Sequence, residues 1–111
     1  MLRLIGISVC SLLSACLLTT AVAGQGITPA RQAELHELLI EDCGSCHGSR
    51  LLGGLGPALT QQRVKKLSRD MLIETVLAGR PGTAMPPWNT MLSREEATWL
   101  VDQLLKGVKT P

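Results

Sequence analysis

Apolar positions fall into four blocks along the chain, and their spacing changes from one block to the next. The first is a continuous run from Leu4 to about Leu18, behind Met1-Leu2-Arg3 and ahead of Ala21-Val22-Ala23. A positive start, an apolar run and a small-residue cleavage site predict a secretory signal over residues 1–23, leaving a mature domain over 24–111. As a membrane span the run is short, and Ser and Thr interrupt it. Leu13-Ser14-Ala15-Cys16 resembles a lipobox, so lipid attachment at Cys16 is the competing outcome. Because the chain stays apolar beyond Cys16, cleavage near Ala23 is the favoured reading.

The other three blocks have helical spacing. Gly24–Ile27 shows no packing pattern, and Thr28-Pro29 then reads as a helix start, an N-cap oxygen followed by a residue preset for the first turn. Leu35, Leu38 and Leu39 predict an amphipathic helix over 29–43 that delivers Cys43. Glycines dominate the stretch from Gly44 to Gly56, which is expected to be a loop closed by Gly56-Pro57-Ala58-Leu59. Thr60 is expected to cap a short helix reaching Leu67. Ser68 caps a second one over 69–78, with Leu72, Ile73, Val76 and Leu77 as its stripe and Gly79 at its end. Prolines and glycines forbid regular structure over 79–91. Ser93 with Glu96 forms a capping box for the last helix, whose inner face is Ala97, Leu100, Val101 and Leu104, and Gly107 stops it. No segment shows sustained strand alternation. The expected fold is all-α.

Composition adds one anomaly. The 111 residues hold two Trp but no Phe and no Tyr. Aromatic side chains usually supply much of the buried area that a domain this short needs. Something else must fill that space, and a buried macrocycle would do so. Charge is nearly balanced, Lys+Arg 11 against Asp+Glu 9, which gives no basis for nucleic-acid binding. Removal of residues 1–23 takes away Cys10 and Cys16, so the mature chain keeps only Cys43 and Cys46. In an oxidising compartment, a pair two residues apart calls for an explanation.

Cys43-Gly44-Ser45-Cys46-His47 supplies it. Two thiols at this spacing can each form a thioether with a haem vinyl group, and the next His then lies beneath the iron. The competing readings are weaker. A redox dithiol would sit near a βαβ pattern, a zinc site would need two more ligands where His36 alone remains, and a plain disulfide leaves His47 unexplained. The second axial ligand of the iron would be Met or His. His36 lies off the leucine stripe and reads as a solvated surface residue. Met71 is also off its helix's apolar face, and Met91 reads as core filler. Met85, in Gly82-Thr83-Ala84-Met85-Pro86-Pro87, sits where flanking prolines lock an irregular loop, and it is the expected axial ligand.

These blocks, together with Gly79-Arg80-Pro81-Gly82-Thr83-Ala84-Met85-Pro86-Pro87-Trp88 and Leu92-Ser93-Arg94-Glu95-Glu96, resemble the class I cytochrome c family over essentially the whole mature chain. Within it, Asp42–Gly48 and Gly53–Thr60 are similar to the small NirC-type cytochromes associated with haem-c/haem-d nitrite reductase. The resemblance implies one covalent haem c, attached at Cys43 and Cys46, with His47 and Met85 on the iron. It implies that the Pro57 carbonyl accepts a hydrogen bond from the His47 ring, that Leu59 packs on the haem, and that Trp88 lies close enough to reach a propionate. On residue type alone, Pro57 and Leu59 are equally well an ordinary turn followed by core. The sequence departs from the family at the crossing of the terminal helices, where paired aromatics are usual. Here Leu39 and Gln103 stand, with Trp99 nearby, either packed or exposed.

No general acid–base pair stands out, since Glu34, Glu37, Glu41 and Asp42 read as a solvated face. The expectation is an electron carrier and not an enzyme, exported to the periplasm, with the cytochrome c maturation machinery and nitrite reductase as partners. Arg63, Lys65, Lys66, Arg69 and Arg80 would steer it towards acidic surfaces. A role in reductase or haem-d assembly is the alternative, and a ligand-binding haem protein with an open sixth site is a third reading.

Overall fold

The computed structural model describes residues 26–111, so the expected signal sequence over 1–23, with Cys16, lies outside the described residues. Five helices follow one another: α1 (Pro29–Leu38), α2 (Gly44–His47), α3 (Gln61–Val64), α4 (Arg69–Ala78) and α5 (Arg94–Lys106). No strand occurs among the described residues, and the fold is all-α as expected. No helix among them is long and apolar enough to cross a membrane.

Caps fall where short polar side chains precede apolar stripes. The Thr28 hydroxyl accepts from the Arg31 N–H, and Ser68 accepts from Met71, in each case satisfying a donor that the helix cannot. At α5 the box is reciprocal: Ser93 accepts from the Glu96 N–H while the Glu96 carboxylate accepts from Ser93.

Two predicted elements differ. The first helix does not stop at Cys43. Residues Leu39–Cys43 widen into a π-helical turn, and α2 continues without a break to His47. Gly44 was expected to open a loop because glycine is a poor helix former. It is instead buried, with its Cβ position 3.6 Å from the Ser49 Cα, so close packing outweighs propensity. The helix ends at Gly48, whose φ of 91° turns the chain back. Secondly, α3 is a single turn. Thr60 occupies its N-cap without a side-chain bond, and Lys66 and Leu67 donate to the carbonyls three residues back, the tighter pattern of a fading helix end.

The core is organised by α5. Leu100 and Leu104 join Leu35, Leu39, Ile40, Leu51, Val64 and Leu92 in one cluster, while Ala97 and Val101 meet Ile73 and Leu77 of α4 in the other. Each fully buried leucine contributes about 1.5–3 kcal/mol, so the last helix anchors both halves. Leu39 is 1% exposed within this cluster and Trp99 packs half-buried against it, which resolves the helix crossing in favour of packing. Met91 is a correction: it is 62% exposed, not core. The neighbouring Leu92 takes the inward position.

Candidate functional site

Helical geometry explains the spacing of the first three site residues. Side chains three and four apart share a helix face, so Cys43, Cys46 and His47 stand on one side of the segment that ends α2. No disulfide joins the two cysteines. Cys46 is exposed. Cys43 is half-buried, and burial, followed by the charge of Asp42, pushes its thiol up to about 11. The π-helical turn lies immediately before this group, a position in which such turns are frequent at functional sites.

His47 is fixed by the loop that follows it. Its Nδ1 lies 2.6 Å from the Pro57 carbonyl oxygen. A carbonyl only accepts, so Nδ1 must carry the proton and donate, and the neutral ring then offers its lone pair at Nε2. That is the tautomer a metal ligand needs. The loop is held closely enough to set this contact. Gly53 and Gly56 donate to the His47 and Cys46 carbonyls at 2.7 and 2.8 Å, satisfying the open end of α2. A Cβ on Gly56 would lie 2.8 Å from the ring Nδ1 and Cε1, so no larger residue fits against the imidazole. Leu51, buried at φ 56°, accepts from Leu59 across the loop; its left-handed backbone costs about 1–2 kcal/mol, offset by its place in the core.

Met85 is positioned by a second turn. Gly79, at φ 66°, ends α4, and a Cβ there would lie 2.6 Å from the Pro86 carbonyl carbon. This close approach lets Arg80 donate to the Met85 carbonyl at 3.1 Å and Thr83 donate to that of Arg80 at 3.0 Å. The next residues return to the helix, with the Trp88 and Asn89 N–H groups donating to Val76 and Leu77. Met85 itself is half-buried. Leu59, Trp88 and Cys43 all pack against the large core cluster, so these predicted residues share one apolar wall, and Met85 stands outside that set on its own turn.

The remaining expectations divide. His36 and Met71 are exposed, as predicted. Arg69 leaves the free basic set because Asp102 binds it through both oxygens, at 2.7 and 2.9 Å. Among the described residues no three His, Cys, Asp or Glu side chains gather as a metal cluster. Two thiols on one helix face, an imidazole presenting Nε2 and a thioether held on a separate rigid turn are a donor set that fits haem c. The sequence marks Gly56 as a loop closure and Gly79 as a helix stop, but not their part in placing His47 and Met85. The close approaches behind the Gly-Pro and Gly-Arg-Pro-Gly blocks are visible only in three dimensions.

Comparison with known proteins agrees with this geometry. The family described as "Cytochrome C oxidase, cbb3-type, subunit III" matches residues 30–103. Cytochrome c55X of Pseudomonas aeruginosa is 57% identical over 81 residues, covering 73% of this chain and 68% of that protein. The solved structure of the c-type cytochrome NirC superposes with a TM-score of 0.73 at 55% identity, over 76% of this chain and 99% of that one. A longer relative, the Dihydro-heme d1 dehydrogenase of Pseudomonas aeruginosa, is 32% identical over 106 residues, which cover 96% of this chain but 19% of the enzyme.

Proposed function

The chain belongs to the cytochrome c family, and from that premise we propose that it is a periplasmic mono-haem cytochrome that passes single electrons to a nitrite reductase. Membership of the family implies a covalently bound haem c, which supplies a one-electron couple when bound, and agrees with a carrier more than with an enzyme. The roles of this chain's residues follow from their geometry. Cys43 and Cys46 would form the two thioethers. His47 would ligate through Nε2, and the Pro57 carbonyl holds the ring orientation and raises its basicity. Met85 would be the second iron ligand, and Met/His coordination raises the reduction potential. Leu59 and Trp88 would exclude water beside the macrocycle, favouring the less charged ferrous state. Residues 1–23 would direct export and be removed, leaving the haem domain over 24–111.

The observation that carries the reading is the 2.6 Å contact between His47 Nδ1 and Pro57, which commits the imidazole to the tautomer that a metal requires. Nitrite reductase as acceptor is supported by the likeness to NirC. Stopped-flow mixing of the reduced protein with oxidised haem-c/haem-d nitrite reductase tests it: rapid, salt-sensitive oxidation is expected. The similarity to a dihydro-haem d1 dehydrogenase favours a second reading in which the chain serves haem-d maturation. Sluggish transfer to the reductase, with a reductase lacking haem d in a deletion strain, would select that alternative. Protein that emerges colourless from a host with a working cytochrome-assembly system would remove both.

A further inference from the structure

Leu55 is 92% exposed and Leu52 is 63% exposed. Both stand on the loop between Gly48 and Pro57, whose backbone is tied by Leu51 to Gly48, Gly53 to His47, Gly54 to Gly56 and Gly56 to Cys46 at 2.7 to 3.0 Å. Large apolar side chains on a backbone this constrained lose little conformational freedom when a partner covers them. The loop packs on the Cys46 carbonyl and on the Nδ1 edge of the His47 ring. Nδ1 and Nε2 flank Cε1 and face widely divergent directions, so the loop bonds one side of the ring and leaves the Nε2 lone pair clear of it. It borders Cys46, an exposed site of thioether attachment in the reading above.

Arg50 and Leu52 line a shallow cleft with Gln61, Gly107 and Val108. Gln61 donates to the Leu105 carbonyl at 2.9 Å, which brings Lys106 and Lys109 to the same region. Arg50, Lys106 and Lys109 are exposed and, like Arg63, Lys65, Lys66 and Arg80 elsewhere, form no ion pair among the described residues, while Arg31, Arg69 and Arg94 do; Asp102, bound by Arg69, lies one turn before Lys106. Of the carboxylates with no ion pair, Glu37, Glu41 and Asp42 lie on the first helical segment, Asp70 on α4 and Glu95 on α5.

We infer that Leu52 and Leu55, bordered by Arg50, Lys106 and Lys109, are the surface on which a redox partner docks, an apolar contact framed by carboxylates on the partner. The inference rests on the electron-carrier reading and names the face it uses. In the complex one electron passes from the reduced cytochrome to the oxidised partner, and no proton or bond is transferred. A small patch suffices, because electron-transfer encounters bury less than about 1,200 Å². Apolar residues at the centre shorten the approach, and the cations accelerate encounter.

The test uses the haem-loaded protein and haem-c/haem-d nitrite reductase. With both proteins ferric, so that no turnover occurs, titration of the reductase into isotope-labelled cytochrome should shift the amides of residues 46–56 and 106–109, and salt should reverse the shifts. L52S/L55S should keep the visible spectrum and its rate with ferricyanide, while its second-order oxidation by the reductase falls about ten-fold or more. R50E should lower that rate several-fold and flatten its salt dependence. A double variant as fast as wild type, or shifts confined to Glu37, Glu41 and Asp42, overturns the docking face and leaves the carrier role standing. Wild-type protein that neither shifts nor reacts overturns the partner reading and the face with it. Concentration-dependent shifts of the same amides without reductase would assign the leucines to a second copy of the chain and overturn the inference.

Discussion

The Pro57 carbonyl oxygen sits 2.6 Å from Nδ1 of His47, ten residues earlier, and Gly56 makes that approach possible by having no side chain. A methyl group at Gly56 would meet the ring at 2.8 Å, with backbone bonds on both sides to prevent relief. Gly56→Ala is therefore expected to displace the imidazole and destabilise the protein by about 1–3 kcal/mol. Thermal unfolding of the haem-loaded protein measures the loss, and a shift of the reduction potential reports the altered ligand. Gly26→Ala, where nothing lies within 4 Å, is the matched control and should change neither.

Met85→Ala should leave the covalent attachment intact and alter the iron. Without a thioether, the ferric protein is expected to lose the weak long-wavelength absorption that marks Met–iron ligation, and its potential should fall. Rapid carbon monoxide binding to the ferrous variant but not to the wild type would show that the sixth position had opened. A variant with an unchanged spectrum would exclude Met85 as the ligand.

Gly79→Ala separates the ligand's turn from the ligand itself. Gly79 combines φ 66° with backbone atoms of Met85 and Pro86 within 2.7 Å of its Cβ position, so the substitution is strained twice over. The Arg80-to-Met85 bond should weaken. On warming or in mild denaturant, the variant is expected to lose the Met–iron band well before helical circular dichroism, whereas the wild type should lose them closer together.

Legibility in the sequence followed the range of the interaction. The caps at Thr28, Ser68 and Ser93 were readable because each depends on a donor two or three residues away. Cys43, Cys46 and His47 were readable as a group because helical spacing encodes their shared face. The helix through Gly44 was not, because the packing that overrides glycine's propensity comes from Ser49 across a turn. Met91 was misplaced for a related reason: the segment before α5 has no periodicity, so nothing local tells its outward methionine from the inward Leu92. The pairing of Arg69 with Asp102, 33 residues apart, had no local signal at all.

The same long-range limit applies to Arg31 and Glu96, and their contact makes stability depend on pH. Glu96 accepts from Arg31 Nε at 2.6 Å through one oxygen and from the Ser93 N–H at 2.8 Å through the other, so a single carboxylate caps α5 and joins it to α1. The hydrogen bond from Arg31, then that from Ser93, holds its carboxyl below the usual range, and Arg69 does the same to Asp102. A folded-state pKa below the unfolded value means that the stabilisation is complete above about pH 4.3, the ordinary carboxylate value, and is lost as pH falls through the folded one. The melting temperature should therefore be level from neutral pH to about pH 5 and decline below it. Glu96→Gln retains a capping acceptor but no titrating charge, so it should lower stability near neutral pH and make the acid decline shallower. Ser93→Ala should cost about 1 kcal/mol through the lost cap and keep most of that decline, because the Arg31 contact survives. Parallel acid profiles for wild type and Glu96→Gln would show that this carboxylate does not set the acid limit.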